Sequence, residues 1–148
     1  MDNFRWITEN LGGSRAPDVD ELDKWKEYGI DTIVNLLEGS YGTFLFEKQK
    51  EKGFNAVYLP LSMYSHLEVD EIIPIYEYID ELLNKGKKVV VHCKYGRART
   101  GTILAGYLIY KGKSYNDALD TVMLKGFLPE TFEQISFLQN LEKLTRND

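Results

Sequence analysis

The segment that most constrains this chain is Val89-Val90-Val91-His92-Cys93-Lys94-Tyr95-Gly96-Arg97-Ala98-Arg99-Thr100-Gly101. Three consecutive β-branched residues read as a buried strand. An amphipathic helical pattern begins at Gly101 and runs through Thr102, Ile103, Leu104 and Ala105. Between them, a short loop holds the chain's single cysteine, Gly96 and the cations Lys94, Arg97 and Arg99. A strand feeding a glycine-bearing loop and then a helix N-terminus builds an anion site, because free amide groups point inward and the helix dipole favours negative charge. A cysteine at the mouth of such a site is expected to be a thiolate near pH 7, since positive potential lowers a thiol pKa.

The rest of the chain supplies a frame of one domain's size. Its 148 residues suffice for a single domain spanning 1–148. The formal net charge of -5 argues against nucleic acid or an anionic membrane as partner, so any anion site must be local. One cysteine excludes an intramolecular disulfide framework and suits a reducing, cytoplasmic compartment. Met1-Asp2-Asn3-Phe4-Arg5 opens no signal-peptide pattern, and no apolar run approaches a membrane span.

Read in order, Phe4 to Ile7 predicts an edge strand and Gly12-Gly13-Ser14-Arg15 a turn. Asp18 or Asp20 is placed to cap a helix through Leu22, Trp25 and Tyr28 that stops at Gly29. Strands are predicted at 31–37 and 54–61, with a helix at 43–52 between them. From Glu68 the apolar positions Val69, Ile72, Ile73, Tyr76, Ile79 and Leu82 recur at helical spacing, with Pro74 either kinking that helix or starting a later one. Helices follow at 101–110, after Ser114, and at 131–144. Strands alternating with helices predict a three-layer α/β domain with a mainly parallel central sheet, whose ligands gather at the strand C-termini. Glu38, the 62–67 loop and the Cys93 loop all lie at such ends.

His92-Cys93-Lys94-Tyr95-Gly96-Arg97-Ala98-Arg99-Thr100 resembles the signature of the cysteine-dependent protein tyrosine and dual-specificity phosphatases: cysteine, five residues, arginine, then serine or threonine. The resemblance covers nearly the whole chain and is closest to compact archaeal-type members; it implies the same α/β architecture. It also implies hydrolysis of phosphomonoesters through a phosphocysteine on Cys93, with no metal and no cofactor. The backbone from Lys94 through Tyr95, Gly96, Arg97 and Ala98 to Arg99 is then the phosphate cradle, and the planar Arg99 fork binds two phosphate oxygens. Thr100 donates to the sulfur and stabilises it as a leaving group. His92 ties the loop down from behind, and Gly101 opens the helix. Rival anion loops fit less well. A nucleotide-binding loop needs lysine before its serine or threonine, and a C-x-x-C redox site lacks its second cysteine. A rhodanese-like sulfur carrier is the nearer rival.

The resemblance breaks at the general acid. Matching Pro60-Leu61 to the family's proline-isoleucine puts Met63 where the family has an aspartate, and methionine donates no proton. Glu68, Glu38, Asp70 and His66 stand close together as substitutes, and an enzyme without an acid, limited to good leaving groups, is the remaining option. Glu130 and Gln134 are the two positions near which the family positions its hydrolytic water.

The expected partner is a phosphorylated protein or small molecule. Phosphotyrosine, with phosphoserine or phosphothreonine, is the leading substrate, because a shallow cleft serves both. Lys94 and Arg97 add cations that suggest an inositol phosphate or phosphoinositide as the alternative. A phosphate-binding module without turnover is the third reading. The sequence leaves oligomeric state open.

Overall fold

A computed structural model describes residues 4–146. Strands β1 (Arg5–Trp6), β2 (Leu11–Ser14), β3 (Thr32–Asn35), β4 (Asn55–Tyr58) and β5 (Val89–His92) form one sheet in the order β1-β2-β5-β3-β4. All pairings are parallel except β1 with β2. Helices α1 (Glu21–Glu27), α2 (Gly39–Glu51), α3 (Val69–Asn84), α4 (Ala98–Tyr110), α5 (Tyr115–Met123) and α6 (Phe132–Arg146) cover both faces.

Strand alternation sorts the core into two clusters. Val89 and Val91 of β5 and Val34 of β3 point to one face, where they meet Ile103 and Leu104 of α4, Tyr76 of α3 and Phe137 of α6. Val90 and Ile33 point to the other face and meet Leu22 and Trp25 of α1 and Leu45 of α2. This is the predicted three-layer domain, with β5 buried at its centre. Pro74 sits within α3 and starts no second helix.

The predicted turn at Gly12-Gly13-Ser14-Arg15 is corrected: 11–14 is a fully buried parallel strand. These glycines serve close approach, not a turn. A Cβ on Gly12 would come within 2.7 Å of the Arg5 carbonyl oxygen. One on Gly13 would come within 2.6 Å of Thr100 Cγ2 and 2.8 Å of Leu104 Cδ1. Glycine at 13 therefore lets α4 lie against β2 directly beside the cysteine loop. Helix α4 also begins earlier than its apolar pattern, at Ala98, so Arg99 and Thr100 belong to its first turn.

Gly13→Ala overpacks this contact. Chemical denaturation should show a loss of about 1–3 kcal/mol, with the far-ultraviolet dichroism of the folded state unchanged.

Candidate active site

The loop from Cys93 to Arg97 leaves β5 with its amides turned in and its carbonyls turned out. Cys93 is buried, and Thr100 Oγ1 donates a hydrogen bond to its sulfur at 3.0 Å. The backbone N–H groups of Gly96, Arg97 and Thr100 donate to the same sulfur. Burial pushes the thiol pKa up, but the Thr100 hydroxyl and the three amides outweigh it, so the net shift is below the ordinary value.

The outward carbonyls of Lys94, Gly96 and Arg97 all have partners. Lys94 O accepts from the Ala16 amide at 3.2 Å, and Arg97 O accepts from the amides of Gly101 at 3.0 Å and Leu128 at 3.2 Å. Gly96 O accepts from Arg5 Nη2 at 2.7 Å. Gly96 has φ +69°, and a Cβ there would run into the Ser14–Arg15 backbone, so the loop fits under β2 only with glycine at this position.

Arg99 rises from the first turn of α4 with its side chain 8% exposed. Its Nη1 donates to Glu38 Oε1 at 3.1 Å and to the Leu61 carbonyl at 2.8 Å. Its Nε is buried and has no protein acceptor, one of two such side-chain atoms among the described residues. A buried donor left unpaired costs about 1–3 kcal/mol, and next to a thiolate-stabilising loop it marks a place for an acceptor oxygen.

His92 lies behind the loop and is fully buried. Its Nδ1 is 3.3 Å from the Cys93 carbonyl, and its Nε2 is 2.9 Å from the side-chain nitrogen of Gln49. A carbonyl only accepts, so Nδ1 carries the proton and Nε2 accepts from Gln49. Burial lowers its pKa to about 4, with the Cys93 carbonyl bond pulling the other way. His92 is therefore neutral at pH 7 and braces the loop without adding charge. Gln49 lies between two lysines in the sequence, and nothing in that local pattern signals its role.

A cavity of about 180 Å3 opens over the sulfur, lined by Met63, Cys93, Tyr95, Arg97, Ala98, Arg99 and Glu130. Met63 does reach this site, as the alignment of Pro60-Leu61 implies. Glu130 is the carboxylate in that lining, and it accepts from Arg97 Nε at 2.7 Å. Lys94 lines the neighbouring cavity with Glu38 and Arg99, and its Nζ lies 5.3 Å from the Tyr95 ring centroid. Tyr95 stands on the rim, 75% exposed.

The structure does not bring Glu68 to the sulfur. Its carboxylate pairs with His66 Nε2 at 2.8 Å, and both line a separate cavity with Asp70 between the start of α3 and the end of α6. Glu38 is adjacent but bound to the Arg99 guanidinium. Gln134 is buried with both ends engaged. Its Oε1 accepts from the amides of Glu130 at 2.8 Å and Thr131 at 3.1 Å, and its Nε2 reaches the Met63 carbonyl at 3.4 Å. Gln134 thus ties the Glu130 loop to the Met63 loop. A Cβ on Gly101 would sit 3.0 Å from Phe127 Cβ, so this glycine lets α4 pack against that same loop. No group of three or more metal-ligating side chains gathers among the described residues.

Parallel α/β topology, a cysteine with a lowered pKa in an amide cradle and a buried arginine with a free donor together outline a candidate anion site with the cysteine sulfur at its floor. Comparison with known proteins places that class. A family model described as a polymorphic toxin system DSP-PTPase phosphatase matches residues 10–113. Dual specificity protein phosphatase 6 of Homo sapiens is 34% identical over 112 residues, which cover 74% of this chain and 28% of that protein. Tyrosine-protein phosphatase CDC14 of Candida albicans is 28% identical over 106 residues, covering 67% of this chain and 18% of that protein. Among solved structures, Tk-PTP in the active form is 30% identical with a TM-score of 0.84, covering 95% of this chain and 97% of that one. A glycine-to-alanine mutant form of Tk-PTP is 28% identical with a TM-score of 0.92, covering 99% of both chains. The chain belongs to the dual-specificity and protein tyrosine phosphatase family. It spans less than a third of the length of the curated relatives named here.

The donors on Cys93 make a titration prediction. The thiolate forms as pH rises through the lowered pKa, and the single cysteine makes its ultraviolet absorbance unambiguous. Thr100→Val removes one donor to the charged form, so the midpoint should move up by roughly 1–2 pH units.

Proposed function

We propose that this chain is a metal-independent phosphomonoester hydrolase acting through a phosphocysteine on Cys93, with aryl phosphates such as phosphotyrosine as its foremost substrates. The observation that carries this reading is the Cys93 sulfur, held by inward donors from Gly96, Arg97 and Thr100 beside a buried arginine with an unpaired Nε. The cysteine thiolate attacks phosphorus while Arg99 and the 94–99 amides hold the nonbridging oxygens. The bond from phosphorus to the leaving oxygen breaks, and that oxygen takes a proton. Water then attacks the phosphocysteine, the S–P bond breaks, and the thiolate returns to its donors.

Glu130 takes the acid role in this reading. It is the carboxylate in the cavity lining, held over it by Arg97, and it compensates for Met63. In its protonated form Glu130 gives its proton to the leaving oxygen, and the resulting carboxylate, the form that pairs with Arg97, then accepts one from the attacking water. Glu38 belongs to substrate binding through Arg99.

The cavity over the sulfur has Met63, Tyr95 and Ala98 in its lining, which offers a phenyl ring apolar contacts that a polyphosphorylated ring would not use. Of the two extra cations that suggest an inositol phosphate, Arg97 is engaged by Glu130. A catalytic thiol must stay reduced, which favours a cytoplasmic setting; no helix among the described residues is long and apolar enough to cross a membrane.

Cys93→Ser should abolish metal-free hydrolysis of phenyl phosphate; retained turnover would overturn the mechanism. Glu130→Gln should lower kcat on that substrate by ~10²–10⁴-fold. It should cost much less on p-nitrophenyl phosphate, whose leaving group needs no proton. An equal loss on both substrates would remove Glu130 from the acid role.

A further inference from the structure

Among the described residues, the Gly96 carbonyl is the one of the three outward loop carbonyls held by a side chain. Lys94 O and Arg97 O are held by backbone amides of neighbouring segments. Gly96 O is held by the guanidinium of Arg5, 91 positions away in sequence. The Gly96 carbonyl and the Arg97 N–H belong to one trans peptide unit and point in opposite directions. Whatever holds that carbonyl outward therefore aims the Arg97 N–H inward, and the Arg97 N–H is a donor to the Cys93 sulfur. Gly96 is the loop residue with positive φ, so the peptide beside it is the unit least restrained by its own backbone.

Arg5 is built into this position. The two-residue strand β1 pairs Arg5 with Gly13 and so lays it beneath the loop. Its Nη1 donates to the Lys125 carbonyl at 3.1 Å, and its Cζ lies 4.2 Å from the Phe127 ring centroid. Gly126, at φ +86°, lies against the guanidinium: a Cβ there would come within 2.7 Å of Arg5 Nη1 and would have to displace it. Arg5, Lys125, Gly126 and Phe127 all lie outside the 10–113 segment that the family model matches.

We propose that Arg5 is a positioning residue for catalysis: its guanidinium fixes the Gly96–Arg97 peptide so that the Arg97 amide faces the Cys93 sulfur and the nonbridging oxygens of the phosphate. A charged donor on the carbonyl also polarises the peptide, which strengthens the N–H on its far side. The field of Arg5 acts on the thiolate as well, since the two groups attract each other across the loop. The proposal rests on Cys93 chemistry as read above. Other charged or titratable groups around Cys93 are His92 at the end of β5, Lys94 and Tyr95 on the loop, Arg97 and Arg99 at the start of α4, Glu38 beside Arg99, and Glu130 before α6. The Gly96 carbonyl takes its hydrogen bond from Arg5 and from none of these, so substitution of Arg5 tests this link separately.

The test compares wild type with Arg5→Met, which keeps an unbranched side chain but loses the guanidinium that lies over Phe127, and Arg5→Lys, which keeps the charge but loses the fork. Four quantities are read: thermal midpoint, Cys93 thiolate midpoint by ultraviolet absorbance, and kcat and KM on p-nitrophenyl phosphate. In Arg5→Met the thiolate midpoint should rise and kcat should fall by about 10- to 100-fold, with a smaller change in KM. Arg5→Lys should fall between, and millimolar guanidinium ion should restore part of the kcat of Arg5→Met and leave wild type unchanged. If Arg5→Met or Arg5→Lys lowers the thermal midpoint with thiolate midpoint and kcat unmoved, Arg5 is a structural clip and the proposal is overturned. The thiolate midpoint needs no turnover. Wild type that shows a depressed midpoint but no hydrolysis would defeat the proposed function while leaving the Arg5 link measurable on its own.

Discussion

A row of peptide units between β5 and α4 must keep its amides on the Cys93 sulfur, and much of the structure serves that one orientation. Amides face the sulfur only if their carbonyls face away, and an outward carbonyl needs a donor of its own. The fold provides donors from three directions: the end of β2 through Ala16, the segment before α6 through Leu128, and β1 through Arg5. The thiolate is thus stabilised by groups that lie behind the loop as well as by those that touch it. Thr100 closes the set from the first turn of α4.

That requirement explains the crowding around β2. The strand must come close enough to receive the loop on one side and α4 on the other, which leaves no room for a Cβ at 13 or 96. His92 and Gln49 hold the far side, with Asn35 within 3.5 Å of the Gln49 side chain. Arg99 then extends from a helix start that is already fixed and meets Glu38 from the neighbouring strand end. In the proposed mechanism, substrate binding and thiol activation share one floor, while the acid comes from the separate Glu130 segment, which Gln134 links to the Met63 loop.

Much of this is legible in the chain. Three valines, a glycine-bearing loop and an apolar helix locate the site because strand, loop and helix are contiguous and their periodicities differ. The parallel three-layer architecture follows from the same alternation. The Gly12-Gly13 strand is not legible, since glycine pairs signal turns locally and close packing only through partners far away, here Thr100, Leu104 and Phe127. The proposed acid is hidden for a related reason. Sequence places Glu68 near the Met63 loop, but helix α3 turns it to His66 and away from the sulfur, whereas Glu130 reaches the cavity through an ion pair with Arg97 that no spacing encodes.

In the proposed mechanism Cys93 itself carries the phosphoryl group during turnover. Rapid acid quenching of the enzyme in steady-state hydrolysis of an aryl phosphate, followed by peptide mapping by mass spectrometry, tests it directly. One phosphoryl group is expected on the peptide that contains Cys93, formed without added metal and absent in Cys93→Ser. Sustained turnover with no phosphoryl adduct on that peptide, or with the adduct on another residue, would contradict it.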